Sequence, residues 1–346
     1  MAAEAVGVGI IGTGLSATQH MTALVQVPLA RVVAVVGTSE DKARVFAEKW
    51  GIPRAYGSAA AMLGDPDVEA VHLCTPPDTR VALAEAAAGA GKHVMIEKPM
   101  ARNVAEADRV IAACDAAGVA LGAMFQNRFT PLPRRVKEAL DVGRFGRLLL
   151  VTLSSKWFRS AEYYRGSSWR GTAAREGGAA LINQSIHAID LLRWICGPVS
   201  EVQAITATQL HPIEMEDVGV ALLRFESGAV GSLVGTTVAY PGFAERLELH
   251  GSEGSVVLVQ GDGRLEWYLR GQEPIVEQAD TQVSGARSDP AATTSHGHVA
   301  QFTDFYAAIR ERRRPFVDGR EGRHALELVE AIYRSGRSHL PVRLPL

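Results

Sequence analysis

Only three cysteines occur in the 346 residues, Cys74, Cys114 and Cys196. They stand far apart, each inside an apolar segment, so neither a disulfide framework nor a zinc spacing is present and all three read as small buried hydrophobes. Hydrophobic residues make up 47% of the chain, yet no apolar run approaches the roughly 18 residues of a membrane span. Charge of one sign is also missing. Thirty-six Lys plus Arg face 38 Asp plus Glu, a net charge of -2 without a long like-charged block, which removes the electrostatic footprint of nucleic-acid binding. The one basic run, Arg310 with Arg312, Arg313 and Arg314, reads as a solvated helix end. The N-terminal MAAEAVGVG has no basic region followed by an apolar stretch and cleavage site, so the expectation is a cytoplasmic globular protein.

What is present is an alternation. VVAVVG (Val32 to Gly37), AVHLCT (Ala70 to Thr75), HVMIEK (His93 to Lys98) and ALGAMF (Ala120 to Phe125) are near-continuous apolar runs separated by Ala-rich helical stretches. This is the rhythm of βαβ units around a parallel sheet buried on both faces. In NVAEADRVIAACDAAG, Asn103 and Glu106 resemble a capping box and Gly118 a helix stop. Past Phe125 the texture becomes six strand-like runs with tight polar turns: LLLVTLSS, VQAITATQ, VGVALLRF, GSLVGTTV, ERLELHG and SVVLVQ. A helix from Ala179 to Cys196 interrupts them, Gly271 to Gly297 reads as loop, and two helices near 299–312 and 320–334 finish the chain. The expected fold class is therefore α/β: an N-terminal Rossmann domain over residues 1–125, then an α/β domain over 126–346 with an open, mostly antiparallel sheet. The C-terminal helices are expected to pack back on the first domain.

The opening VGVGIIGTGLSA holds two overlapping glycine patterns, one starting at Gly7 and one at Gly12. A phosphate loop must follow a strand and open a helix, because pyrophosphate sits on the unpaired N–H groups of a helix N-terminus. Only the second register satisfies this. Val6 to Ile11 is then the strand and Ser16 to Val25 the helix. Gly12, Thr13, Gly14, Leu15, Ser16 and Ala17 form the loop, while Gly7 and Gly9 are packing glycines of the strand. About 20 residues on, where an acid binds the adenosine ribose of NAD, the chain reads Gly37-Thr38-Ser39. Hydroxyls and Lys42, one turn into the next helix, suit a 2′-phosphate. NADP is accordingly favoured slightly over NAD.

HVMIEKPMA resembles the Gfo/Idh/MocA oxidoreductases, in which an E-K-P motif ends a Rossmann strand. The resemblance extends through CTPP (Cys74 to Pro77), AGKHV, GGAALINQSIHAIDLLRW (Gly177 to Trp194) and PFVDGREGRHALELVEAIYRSG (Pro315 to Gly336), nearly the whole chain. It implies a secondary alcohol or ketone of a sugar, nucleotide-sugar or cyclitol as substrate, a cis Lys98–Pro99 bond, and a second domain that binds substrate and builds a homodimer or homotetramer. It also implies cofactor contacts from Thr75, Pro76, Glu97 and Lys98, and from Trp169 and Arg170 of SSWRGT.

Hydride leaves a carbinol readily only as its O–H proton is withdrawn, so a base and a nearby cation are needed. Lys98, at the carboxyl end of an expected parallel strand, and His187, in N-Q-S-I-H-A-I-D, are the catalytic candidates. Asn183, His187 and Asp190 fall at i, i+4 and i+7 and share a face of a regular helix. Asn183 stands where the family often has Asp; an amide accepts no proton, so Asn183 orients the substrate hydroxyl. Gln126, Arg128, Tyr163 and Tyr164 complete the expected substrate contacts. Arg80 stands where the family commonly has His. No metal is expected: His296 and His298 resemble a chelating pair without a third ligand and read as surface residues. Two other readings stay open, a dinucleotide-binding sensor without turnover and a redox-neutral sugar-modifying enzyme that retains its cofactor.

Overall fold

A computed structural model describes residues 5–278 and 295–346. Val6–Ile11 forms strand β1, buried along its whole length, and Leu15–Leu24 forms helix α1. The chain then alternates through β2 (Ala30–Val36), α2 (Glu40–Trp50), β3 (Arg54–Tyr56), α3 (Ala59–Leu63), β4 (Ala70–Leu73), α4 (Pro77–Gly89), β5 (His93–Ile96), α5 (Val104–Ala117) and β6 (Leu121–Ala123). The six strands are parallel, in the order β3-β2-β1-β4-β5-β6. The order reverses between β1 and β4, and such a switch point is where an open α/β sheet takes its ligand, at the carboxyl ends of its strands.

Local chemistry sets the helix ends. Ser39, Ser58 and Asn103 cap α2, α3 and α5 by accepting backbone N–H bonds, and left-handed Gly51 and Gly118 close α2 and α5. The capping box at Asn103 is half realised. Asn103 Oδ1 accepts the Glu106 N–H at 2.9 Å, whereas the Glu106 carboxylate turns back to the Arg102 amide. Gly7 and Gly9 are packing glycines: a Cβ at Gly7 would lie 1.8 Å from the Asp67 carbonyl oxygen, and one at Gly9 2.8 Å from the Met62 side chain.

The second part of the chain runs through a 3-10 turn (Gln126–Phe129), α6 (Pro131–Asp141), β7 (Leu148–Lys156), α7 (Ala161–Arg165), a π-helix (Ala180–Ser185), α8 (Ile186–Cys196), β8 (Val199–Ala207), β9 (Val218–Phe225) and β10 (Val230–Thr236). It continues with β11 (Arg246–Gly251), β12 (Gly254–Val259), β13 (Arg264–Leu269), β14 (Ile275–Gln278), α9 (His296–Glu311), α10 (Gly319–Ser338) and β15 (Val342–Arg343). The nine strands lie in the order β14-β13-β12-β11-β7-β10-β9-β8-β15, antiparallel except for the β7–β10 pair. One face is covered: α8 packs on β7 and the π-helix on β9 and β10. Gly219 and Gly235 make room for the π-helix, since a Cβ at either would press within 2.7 Å of the Leu181 side chain. The opposite face leaves Leu150, Ile205, Val220, Leu222 and Val230 exposed.

Among the described residues, those up to Gln126 and Ser295–Arg323 form one unit by Cα proximity, and those from Asn127 to Gln278 with His324–Leu346 the other. Helix α9 thus sits with the Rossmann unit, packing on α1 and adding Phe302, Phe305 and Tyr306 to its core. Three short strands, β13, β14 and β15, extend the second sheet beyond the six runs read from the sequence. Residues 275–278 are strand where loop was expected; the remainder of that stretch up to residue 294 lies outside the described residues.

Candidate functional site

At the turn after β1, Gly12 has φ +117°, and a Cβ there would lie 2.5 Å from the Cys74 carbonyl oxygen. Its N–H donates to the Val36 carbonyl at 2.8 Å. Gly14 is the opposite case: nothing lies within 4 Å of where its Cβ would be. Gly14 is the N-cap of α1, which has no side-chain cap and no acid in its first turn. The first amides of that helix have no intrahelical acceptor, and the open space at Gly14 is what an approaching pyrophosphate requires. Ala17 is fully buried, its methyl accommodated where α1 meets the sheet. Thr13 and Ser16 are half-buried and Leu15 is exposed. The observed loop therefore fits a dinucleotide.

Around it, at the same sheet edge, stand the other expected groups of the first unit. After β2, Lys42 Nζ donates to Thr38 Oγ1 at 3.2 Å, and Ser39 Oγ accepts the Lys42 N–H at 3.3 Å. After β4, Thr75 Oγ1 accepts from Thr79 Oγ1 at 2.8 Å, next to half-buried Pro76. After β5, the Glu97 carboxylate accepts the Lys98 N–H at 2.9 Å, and the Lys98–Pro99 bond is cis, as the resemblance implies. Half-buried Gln126 follows β6. Arg80 ties two of these loops together. Its guanidinium donates to the carbonyls of Thr75 at 2.8 Å, Glu97 at 2.9 Å and Pro99.

In the second unit the π-helix and α8 carry Asn183 and His187. Glu216 anchors the start of the π-helix, accepting the N–H groups of Ala179 and Leu181 and the Tyr333 hydroxyl; burial pushes its carboxyl up to about 7. The change of helix type alters the expected geometry. Asn183, in the π-helix, and His187, in α8, are half-buried, whereas Asp190 is fully buried. Asn183 donates to Glu176, which also accepts the Gly171 N–H. Gln184, the next residue, donates to Tyr163 Oη at 2.7 Å and accepts from Arg159 at 2.9 Å. The Arg170 guanidinium lies 4.0 Å over the Tyr163 ring and 5.3 Å from Trp169. Tyr163, Trp169 and Arg170 thus form one cluster with Arg159 and Gln184. Neither of those two, nor Glu176, stands out in the sequence; Gln184 was within reach, since it lies inside the N-Q-S-I-H motif.

Three expectations are corrected. Arg128 is no substrate contact: it is 1% exposed and forms a two-pronged ion pair with Asp190, at 2.8 and 2.6 Å. Tyr164 turns into the core, its hydroxyl 2.8 Å from Thr237 Oγ1, because adjacent residues on the short α7 point different ways. His298 is no surface residue. It lies on the buried side of α9, its ring 6.1 Å from that of His20, while His296 is exposed. Among the described residues no group of three or more His, Cys, Asp or Glu is arranged to hold a metal ion, and no helix is long and apolar enough to cross a membrane.

A parallel sheet with a glycine loop at its switch point, in one chain with an open mixed sheet, defines a dinucleotide-binding oxidoreductase of two units. The chain belongs to the Gfo/Idh/MocA oxidoreductases: residues 6–125 match the oxidoreductase family with an NAD-binding Rossmann fold, and residues 134–257 match the GFO/IDH/MocA C-terminal domain. It is 30% identical to myo-inositol 2-dehydrogenase of Thermotoga maritima over 88% of this chain and 97% of that protein. It is 31% identical to D-apiose dehydrogenase of Paraburkholderia graminis over 97% and 88% of the two chains. The WlbA dehydrogenase of Bordetella pertussis, solved with NADH and UDP-GlcNAcA, superposes with a TM-score of 0.89 at 34% identity, over 100% of this chain and 99% of that one.

The buried Arg128–Asp190 pair yields a stability prediction. Arg128→Met leaves a buried carboxylate without its counter-charge and is expected to lower unfolding stability by about 3–5 kcal/mol in urea denaturation. A loss below about 1 kcal/mol would show that the pair is dispensable to the fold.

Proposed function

We propose that this protein transfers a hydride between NAD(P) and a secondary alcohol or ketone of a sugar, nucleotide-sugar or cyclitol. The observation that carries the reading is the placement of Lys98. It follows β5 at the edge that bears the phosphate loop, with Glu97 bonded to its amide. The inositol and apiose dehydrogenases among its relatives, and the neighbour holding a nucleotide-sugar, support the substrate class.

A bound nicotinamide supplies the hydride acceptor or donor. The chain supplies the proton chemistry. His187 is the group to take the hydroxyl proton in oxidation and return it in reduction, and the Lys98 ammonium the group to stabilise developing negative charge on oxygen. Asn183, with its amide nitrogen on Glu176, orients the hydroxyl. Tyr163 offers an aromatic face to the sugar ring, Gln126 a polar contact. Trp169 and Arg170 serve the cofactor, as do Thr75, Pro76 and the loop from Gly12 to Ala17. Lys98→Met is expected to reduce kcat by about 100-fold or more while dinucleotide affinity holds; undiminished turnover on the same alcohol would remove Lys98 from the chemistry.

NADP is favoured slightly over NAD. Lys42 and Thr38 form an exposed, cationic hydroxyl-bearing corner where the adenosine ribose of a dinucleotide on this loop belongs. Lys42→Ala is expected to raise KM for NADP about tenfold, the scale of one charge-assisted hydrogen bond, and to leave KM for NAD nearly unchanged. Equal changes for both cofactors would contradict the assignment.

The second unit's exposed apolar face also supports a homodimer or homotetramer. Ile205 pairs with Val220 and Val230 with Leu150 across neighbouring strands, giving a contiguous patch of a kind that monomers seldom leave open. Leu222→Lys is expected to lower the mass found by light scattering; a wild-type monomer would refute the role of this face.

A further inference from the structure

Behind the carboxyl edge of the first unit, four elements send polar side chains to one place in the core. They are His20 from α1, His72 from β4, Glu97 from the end of β5 and Tyr306 from α9, none more than 5% exposed. Tyr306 Oη lies 2.6 Å from His72 Nε2, His72 Nδ1 lies 2.7 Å from His20 Nδ1, and His20 Nε2 lies 2.9 Å from Glu97 Oε1. Burial raises the Tyr306 hydroxyl well above its ordinary value and drives the His72 ring well below its own. The phenol therefore keeps its proton, and in the tautomer set that satisfies every contact it donates to His72 Nε2. The single proton of neutral His72 then sits on Nδ1 and is donated to His20 Nδ1, and the proton of His20 sits on Nε2 and is donated to Glu97. Each bond in the chain has one donor and one acceptor, and all point toward the carboxylate. The other oxygen of that carboxylate accepts the Lys98 N–H.

We propose that His20 is a positioning residue for Lys98: the one-way chain from Tyr306 through His72 and His20 holds the Glu97 carboxylate in a single orientation, and the carboxylate in turn sets the direction and charge of Lys98. This rests on the role given to Lys98 above. Burial alone would push the Glu97 carboxyl up, but the bond from His20, with Lys98 and Arg80 nearby, holds it well below the usual range. The titratable and charged groups that face this site are His20 on α1, His72 on β4, Cys74 in the following turn with its Sγ 3.3 Å from His20 Nδ1, Arg80 on α4, Lys98 itself, and His298 and Tyr306 on α9. A polar cluster that served packing alone would not need a continuous donor direction ending beside the E-K-P lysine.

The test compares His20→Phe, which fills the space without a donor, with His20→Gln, whose side-chain amide can donate to Glu97. Two readouts are taken: steady-state kinetics across pH, and the Lys98 titration followed by 13C NMR of the reductively methylated protein, with Lys98→Arg assigning the signal. With its donor gone, the Glu97 carboxylate, still ionised, is free to turn away from Lys98 and holds the ammonium less. His20→Phe is therefore expected to lower the Lys98 pKa by about half a unit or more and kcat by about tenfold, with KM little changed, and His20→Gln to recover most of both. An unmoved Lys98 titration, or a Gln variant as impaired as Phe, would overturn the proposal. Should His20→Phe not fold, Tyr306→Phe breaks the far end of the chain and is expected to shift Lys98 the same way by less; no shift there overturns it equally. The NMR titration needs no turnover. If Lys98→Met proves fully active while His20→Phe still moves the Lys98 signal, the catalytic reading fails and the positioning one stands.

Discussion

Two turns of the parallel sheet touch at Gly12. The backbone after β1 approaches the Cys74 carbonyl so closely that no Cβ fits between them, and it does so at a φ that side-chain-bearing residues rarely adopt. That approach brings the phosphate loop against the turn after β4. Arg80 then links that turn to the loop after β5, using carbonyls on both sides. The relative placement of glycine loop, C-T-P-P turn and E-K-P loop follows from one steric contact and one guanidinium. A chain with any other residue at position 12 would have to open this edge, and the amides at the start of α1 would no longer aim at the same place as the lysine.

Buried polar groups fix the elements within each unit. In the first, the His–His–Glu chain spans α1, β4, β5 and α9, so the core of the Rossmann unit is polar close to its working edge. In the second, Glu216 gathers the amides that begin the π-helix, and Asp190 with Arg128 locks α8 against the turn after β6. Unmade bonds at such depth are costly, so each of these groups specifies one arrangement more sharply than apolar packing would. The π-helix is the local consequence. It carries Asn183 and Gln184 into the turn before His187, and π-type turns often mark functional positions.

Much of this was legible in the residues. Strand β1 falls on Val6 to Ile11, and β9 on Val218 to Phe225, because apolar runs of strand length are direct statements about burial. The choice of glycine register followed from a requirement of helix geometry and agrees with the opposite surroundings of Gly7 and Gly14. What stayed hidden depends on partners distant in sequence. Arg128 looked like a substrate contact because its position at a strand end is right, but its side chain is claimed by Asp190, 62 residues away. The π-helix has no periodicity that distinguishes it from α over six residues. His20 carried no signal in isolation and His298 read as a surface residue, since their meaning arises where α1 and α9 meet. Short strands such as Ile275–Gln278 pair at the sheet's edge, where the hydrophobic pattern is weakest.

The central claim is that the edge carrying Gly12, Glu97 and Lys98 serves hydride transfer, and absorbance at 340 nm tests it most directly. Purified protein is mixed with NAD or NADP and a panel of sugars, nucleotide-sugars and inositols. The account predicts reduced cofactor with at least one secondary alcohol of the panel. Dinucleotide that binds tightly while absorbance stays flat with every member, and in the reverse direction with the corresponding ketones, would contradict it.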